Sequence, residues 1–87
     1  GLFMRNVELF VAALCGRVYR ITGRVPTIFY SEDSDSTKFT VRFDDIDEPF
    51  GFNLDTDEDL EYATLEMIKG LVCEFTDDVA NFLRRNN

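Results

Sequence analysis

The chain has 87 residues, which is enough for one domain with a single hydrophobic core, and we expect one compact domain over residues 1–87. Its hydrophobic content of 45% and its nine phenylalanines argue against disorder, while the absence of histidine removes the commonest general base and metal ligand. No apolar run approaches the roughly 18 residues of a membrane-spanning helix, so we expect no membrane segment.

A first helix is predicted over residues 5–22, where apolar side chains recur at helical spacing. Asn6 is placed to cap its first turn, and Gly23 stands where a left-handed residue commonly ends a helix. The apolar positions of this helix are Val7, Phe10, Val11, Leu14, Val18 and Ile21.

Three short strands are predicted next. Residues 27–30 are apolar enough to face neighbours on both sides, and residues 39–43 and 50–54 alternate apolar and polar side chains, as half-buried strands do. A polar loop at 31–36 and a turn at 44–49 separate the strands. We expect the apolar side chains of the second and third strands to face the core, namely Phe39, Val41, Phe43, Phe50, Phe52 and Leu54.

A long helix is predicted from Asp57 to near Arg85, with Thr56 as its N-cap. Thr76 is followed by two acids, which is typical of a second N-cap, so we expect a kink or a break there. The order is then α-β-β-β-α, with a third helix if the break is complete. This order predicts an α+β fold, in which helices cover one face of a three-stranded antiparallel sheet. The other face, open or used for a contact, carries Thr40, Arg42, Gly51 and Asn53.

The two cysteines, Cys15 and Cys73, both fall within helical patterns. This placement favours buried thiols over a disulfide, and reduced thiols are typical of proteins in a reducing compartment. We therefore expect a cytoplasmic protein.

The net charge of −8 is unevenly distributed along the chain. Residues 1–31 carry four arginines against Glu8, giving +3, and the segment after residue 66 balances at zero. Residues 32–66 carry thirteen acids against Lys38 and Arg42, giving −11. Such a concentration of one sign repels nucleic acid and attracts a basic surface. An ordinary solvated acidic face is the alternative interpretation.

No group of residues typical of catalysis is present, and we expect the chain not to be an enzyme. Neither cysteine has a histidine partner, and the five scattered glycines form no phosphate-binding loop. Asp44 and Asp45 are an adjacent acid pair, but they lie in a predicted turn, where burial and a raised pKa are not expected. We expect no cofactor.

One segment approaches the spacing of a calcium-binding loop. Asp55, Asp57, Asp59 and Glu66 occupy EF-hand ligand positions, but Leu60 stands in place of the glycine that makes the sharp turn. We therefore expect no EF-hand, and weak calcium binding by the three aspartates is left open.

The predicted α-β-β-β-α order is similar in topology to the double-stranded-RNA-binding domain, which has about the same length. In that family a lysine-rich motif at the start of the last helix grips phosphates, whereas the corresponding position here holds Asp57, Glu58, Asp59 and Glu61. Because the charge is inverted, we expect no direct binding of nucleic acid. The basic edge of the chain is small and consists of Arg17, Arg20 and Arg24.

The fold order and the acidity also resemble those of small phage-encoded inhibitors of DNA-processing or DNA-cutting enzymes, including certain anti-CRISPR proteins. The resemblance implies a viral DNA mimic that presents carboxylates where a basic partner expects phosphates. We therefore predict an acidic protein-binding inhibitor that blocks a basic nucleic-acid-processing enzyme. The predicted partner-binding residues are Asp44, Asp45, Asp47, Glu48, Asp55, Asp57, Glu58, Asp59 and Glu61.

An alternative function is a dimeric acidic adaptor or chaperone that binds its partner through apolar surface. Small acidic α/β proteins with a three-stranded sheet are similar to type III secretion chaperones, although this chain is shorter and lacks the extra strands of that family. Wide apolar stripes on both predicted helices are compatible with a homodimer or an exposed hydrophobic groove. The competing interpretation is that the stripes only form a large core.

Overall fold

The helices and strands follow the predicted order. The computed structural model describes residues 5–55 and 60–86, and its elements are α1 Asn6–Thr22, β1 Thr27–Glu32, β2 Ser36–Phe43, β3 Ile46–Asp55 and α2 Leu65–Arg85. The strands form one antiparallel sheet with β2 in the middle, and both helices pack on the same face of it. The predicted α+β class is therefore confirmed. Neither helix of the described residues combines the length and the hydrophobicity needed to cross a bilayer.

The first hairpin is tighter than predicted. The backbone N–H of Asp33 donates to the carbonyl of Ser36 at 2.8 Å, so β1 and β2 extend further and the polar loop shortens to residues 33–35. The register pairs Thr27 with Arg42 at one end of the two strands and Glu32 with Thr37 at the other. Side chains of paired residues lie on the same face of the sheet.

The second hairpin is also tighter than predicted, since Asp44 and Asp45 alone connect β2 to β3. The ladder between these two strands is irregular between Val41 and Phe43. Pro49 lies opposite this irregular stretch, in a strand at the edge of the sheet. Edge strands and bulges are the places in a sheet where a residue without an N–H is tolerated.

The two helices run parallel, with both N-termini at one end of the molecule and both C-termini at the other. At the first end, Nδ2 of Asn6 donates to the carbonyl of Ala63 at 3.3 Å, which places the start of α1 beside the start of α2. At the second end, Arg24 pairs with Asp45 of the β2–β3 turn, and Arg24 and Leu83 line the same shallow pocket. The long axis of the molecule measures 36 Å.

Aromatic rings fill the space between the helices and the sheet. Phe10 of α1 meets Phe39 of β2 edge to face, with ring centroids 5.2 Å apart, and Phe52 of β3 stacks on Phe39 at 5.0 Å. Phe75 of α2 stacks on Phe52 at 4.0 Å. Ring pairs of this kind stabilise a core beyond the area that they bury. The predicted inward face is confirmed, with Phe39, Val41, Phe43 and Leu54 buried and Phe50 and Phe52 half-buried.

The boundaries of α1 agree with the prediction, but Asn6 has a different role. Gly23 takes a φ of 75° and donates its N–H to the carbonyl of Tyr19 at 2.8 Å, the left-handed ending that was predicted. The predicted cap by Asn6 is wrong, because Arg5 occupies the N-cap position and its backbone N–H donates to Oε1 of Glu8 at 3.3 Å. The amide of Asn6 instead reaches across to the chain that precedes α2.

The last helix begins later than predicted. Thr64 is its N-cap, and its hydroxyl accepts from the N–H of Met67 at 3.2 Å, so residues 60–64 precede the helix. The predicted cap at Thr56 and the predicted first turn at 57–59 lie outside the described residues.

The predicted break near Thr76 is wrong, since α2 is one helix of 21 residues. The hydroxyl of Thr76 donates to the carbonyl of Val72, four residues earlier, at 2.5 Å, and the side chain is buried. A threonine bonded in this way has its hydrogen-bonding need met within the helix, so it does not act as a cap.

The two cysteines are free thiols in different surroundings. Cys15 is half-buried in α1, whereas Cys73 of α2 is exposed. The expectation of a buried thiol is therefore wrong for Cys73, which lies on the side of α2 that borders a groove between the two helices.

Candidate functional site

Carboxylates gather at the end of the molecule where both helices begin, and we name this region the acidic end. The β1–β2 connection, the last residue of β3 and the residues before α2 meet there. Ser36 pairs with Asp55, which sets the acids of the first hairpin beside the end of β3. The carboxylates of the acidic end are Glu8, Glu32, Asp33, Asp35, Asp55, Glu61 and Glu66.

A cleft of about 370 Å³ opens at the acidic end, with Glu32, Glu61 and Asn6 in its wall. Nη2 of Arg5, which also lines the cleft, lies 2.6 Å from Oε2 of Glu32. This hydrogen bond raises the pKa of Arg5 above its ordinary value. The side chain of Arg5 is exposed, so solvent screens the pair, and its contribution to stability is small. Arg5 offsets the charge of Glu32, as Lys69 does for Glu66 at the start of α2.

The opposite end of the molecule carries both signs of charge, and we name it the arginine end. Arg24 forms a hydrogen-bonded ion pair with Asp45 and also lies over the ring of Phe43, 5.5 Å from its centroid. The hydrogen bond from Arg24 lowers the pKa of Asp45 below its ordinary value. The charged residues of the arginine end are Arg20, Arg24, Arg42, Arg84 and Arg85 together with Asp44, Asp45, Asp47 and Glu48.

The structure divides the predicted partner-binding residues between the two ends. The group at the arginine end is Asp44, Asp45, Asp47 and Glu48, of which the last two belong to β3 and not to the predicted turn. The group at the acidic end is Asp55 and Glu61. Glu48 and Asp55, the nearest members of the two groups along β3, are about 23 Å apart, so the groups do not form one continuous surface. Asp57, Glu58 and Asp59 lie outside the described residues.

The comparison with the double-stranded-RNA-binding domain also needs a correction. The predicted charge inversion relied on residues 57–61 as the first turn of the last helix, but α2 begins at Leu65. Its first turns carry Glu66 and Lys69, whose charged groups lie 3.7 Å apart. The start of α2 is therefore close to neutral, and the acids lie before it and on the neighbouring hairpin.

Five carboxylates of the acidic end were absent from the predicted site, namely Glu8, Glu32, Asp33, Asp35 and Glu66. The three acids of the first hairpin, Glu32, Asp33 and Asp35, fall in the predicted polar loop. In a three-stranded antiparallel meander, however, the turn after the first strand and the last residue of the third strand lie at the same end of the sheet. The predicted strand order was therefore sufficient to place these acids near Asp55.

Within the described residues, no group of three or more histidine, cysteine or acidic side chains could hold a metal ion. Of the predicted EF-hand positions, Glu66 lies in the first turn of α2 and pairs with Lys69, and Asp55 ends β3. The other two, Asp57 and Asp59, lie outside the described residues.

The face of the sheet away from the helices is lined by exposed or half-exposed side chains. Phe29 of β1 pairs with Thr40 of β2 and has 56% of its surface exposed. The expectation that β1 is covered on both sides is therefore wrong. Arg42, Gly51 and Asn53 are exposed on this face, as predicted.

Comparisons with protein-family models, with curated proteins and with solved structures give no match for this chain.

Proposed function

We propose that this chain is a protein-binding inhibitor that uses its acidic end to occupy a basic, nucleic-acid-binding surface of another protein. The observation that carries the proposal is the separation of charge between the two ends. Seven carboxylates meet at the acidic end, whereas the arginine end mixes acids with five arginines. Arg5 and Lys69 are each paired with one acid at the acidic end and Lys38 lies nearby on β2, so carboxylates outnumber cations there. A surface with an excess of one sign attracts and orients a partner of the opposite sign.

The acids of the acidic end sit on well-defined supports. Glu32 ends β1, Asp55 ends β3, and the amide of Asn6 holds the carbonyls of Leu60 and Glu61 at 2.6 and 3.3 Å. Carboxylates that are held in place before binding lose less conformational freedom when a partner arrives. This arrangement supports a role as a mimic of phosphates, which also present negative charge at fixed spacing.

The test compares two double charge reversals with the same change in net charge. Asp33→Lys with Asp35→Lys alters the first hairpin at the acidic end, and Asp44→Lys with Asp47→Lys alters the second hairpin at the arginine end. Wild type and both variants are used to capture proteins from a lysate of the source or its host, with elution in rising salt and competition by duplex DNA.

We expect wild type and the arginine-end variant to retain a basic partner that DNA displaces, and the acidic-end variant to lose it. Equal retention by both variants would contradict the proposal, because the acids of the first hairpin would then not be needed. Equal loss would also contradict it, because binding would then depend on net charge and not on the acidic end. Circular dichroism checks that both variants keep their fold.

A second candidate function is the adaptor or chaperone that binds through apolar surface. It is favoured by the groove between α1 and α2, where Leu65 has 65% of its surface exposed. A captured partner that resists high salt and is not displaced by DNA would favour this function over the first, because salt screens charge and not apolar contact.

A further inference from the structure

A groove of about 390 Å³ runs between α1 and α2, and every residue that lines it belongs to the two helices. On α1 it extends from Leu9 to Arg17, and on α2 from Leu65 to Cys73, a distance of about 12 Å along each helix. Its floor and walls are mainly apolar and include Leu9, Ala13, Leu65, Ile68 and Val72. Exposed apolar surface in a concave site is a common mark of a binding site.

The charge of the groove is opposite to that of the chain. Arg17 and Lys69 are the two charged residues among the described residues that line it, in a protein of net charge −8. The pair of Lys69 with Glu66 is exposed and screened by solvent, so Lys69 can change partner at little cost. The Nε of Arg17 is buried and has no hydrogen-bond partner in the described part of the chain. A carboxylate brought into the groove would add a counter-charge beside the side chains of Arg17 and Lys69.

The helical walls of the groove favour a helical occupant over an extended one. Both walls are helices, whose backbone groups are bonded internally, so no strand edge is present in the groove to pair with an extended peptide. A helix arrives with its own backbone groups satisfied and offers apolar side chains at every third or fourth position. Two parallel walls of two to three turns match that spacing.

A second copy of the chain that docked groove to groove would not complement the charge of this groove. None of the described residues that line the groove is acidic, so such a copy would bring no carboxylate from its own groove to Arg17 and Lys69.

We propose that the groove between α1 and α2 binds an amphipathic helix of a partner protein, and that an acidic side chain of that helix pairs with Arg17 and Lys69. The groove is a different surface from the acidic end, so this proposal does not rest on the proposed function.

The experiment selects binders from a displayed library of helical peptides with randomised surface positions, using the full chain as the target. Selected peptides are then measured against four variants. Ala13→Trp fills the exposed wall of the groove, and Lys69→Glu and Arg17→Met remove its cations. Arg20→Glu is the matched control, because Arg20 is an exposed arginine of α1 that does not line the groove.

We expect the library to yield peptides with apolar residues at helical spacing and at least one acid beside them. Their binding should weaken about tenfold or more with Ala13→Trp and Lys69→Glu and stay near wild type with Arg20→Glu. Arg17→Met keeps the apolar stem and should also weaken binding. If Arg17→Met does not fold, Ala13→Trp and Lys69→Glu still test the proposal, because Ala13 and Lys69 are exposed.

Several results would overturn the proposal. Basic peptides that bind Ala13→Trp as well as wild type would indicate the acidic end instead, and that outcome would support the proposed function alone. Failure of the library to yield any binder would also count against the groove. Dimerisation of the chain that Ala13→Trp abolishes, measured by sedimentation, would make a second copy the occupant.

Discussion

The acidic end and the arginine end are built from the same kinds of element. Each has one strand connection, one strand terminus and the ends of both helices, yet acids dominate at one and arginines balance the acids at the other. At the arginine end the acids of the β2–β3 hairpin meet arginines that follow α1 and end α2, and Asp45 pairs with Arg24. At the acidic end the hairpin acids meet two helix N-termini, whose dipoles favour negative charge. The comparison teaches that the common direction of the two helices by itself favours acids at one end of the molecule and arginines at the other.

The largest effect should come from the core that joins the two ends. Phe10→Ala removes a fully buried ring that contacts Phe39 and Phe52, and we expect it to lower the free energy of unfolding by about 3–5 kcal/mol. Denaturant unfolding measures the loss, and hydrogen exchange should show both ends losing protection together. Phe29→Ala is the control, since Phe29 is largely exposed and its loss should change stability by only about 0.5 kcal/mol. Similar losses for both variants would mean that the ring cluster is not the centre of the core.

A smaller effect should be confined to the acidic end. Asn6→Ala removes an amide that donates to the carbonyls of Leu60, Glu61 and Ala63, and we expect a loss of about 1–3 kcal/mol. Hydrogen exchange should increase first around residues 60–63. Asn81→Ala is a matched control on exposed α2, with an expected change within about 0.5 kcal/mol. Uniform loss of protection along the whole chain would contradict a local role for Asn6.

The start of α2 offers a third test of the acidic end. Thr64→Ala removes the hydroxyl that accepts from the N–H of Met67, and we expect a loss of about 1 kcal/mol in the free energy of unfolding. Thr64→Ser keeps the hydroxyl and should recover most of that loss. If α2 instead began at the predicted position near residue 57, the two variants would have equal stability.

The smallest effect should appear at the arginine end as a change in titration. The pKa of Asp45 lies below its ordinary value of 3.8 because Arg24 donates a hydrogen bond to its carboxylate. A carboxyl group with a lowered folded pKa stabilises the fold above the ordinary value and loses that contribution as pH falls through the folded value. Arg24→Gln should raise the pKa of Asp45 toward 3.8, as measured by NMR titration of the carboxyl carbon. Asp45 is exposed and Arg24 is half-exposed, so solvent screens the pair and the effect on stability should be small.

The element order could be predicted from the sequence because each element has a clear local signal. The alternation at residues 39–43 gives β2, and Gly23 ends α1 with the predicted left-handed residue. The start of α2 could not be predicted in the same way, because Thr56 and Thr64 are both good N-cap residues by type. Asn6 bonds to the chain at 60–63, just before the start of α2 at Leu65, and this contact has no signal in the local sequence.

The candidate site was harder to predict than the fold, since it depends on which segments meet. Asp44 and Asp55 are close in sequence but lie at opposite ends of β3, whereas Asp35 and Asp55 are distant in sequence and lie at the same end. The groove between the helices has no local signal either, because Arg17 and Lys69 come together only when α1 and α2 pack in parallel. The acidic end and the groove both depend on contacts between segments that are distant in the sequence.

Pro49 has a consequence for how copies of this sheet can associate. It lies in the outer strand β3 and cannot donate a hydrogen bond to an added strand, and Asp47 and Glu48 beside it add like charges between copies. The other outer strand, β1, has no proline among its residues. Edge-to-edge pairing is therefore less favourable along the first half of β3 than along β1, and a pairing of β1 with β1 would close after two copies instead of growing into a fibril.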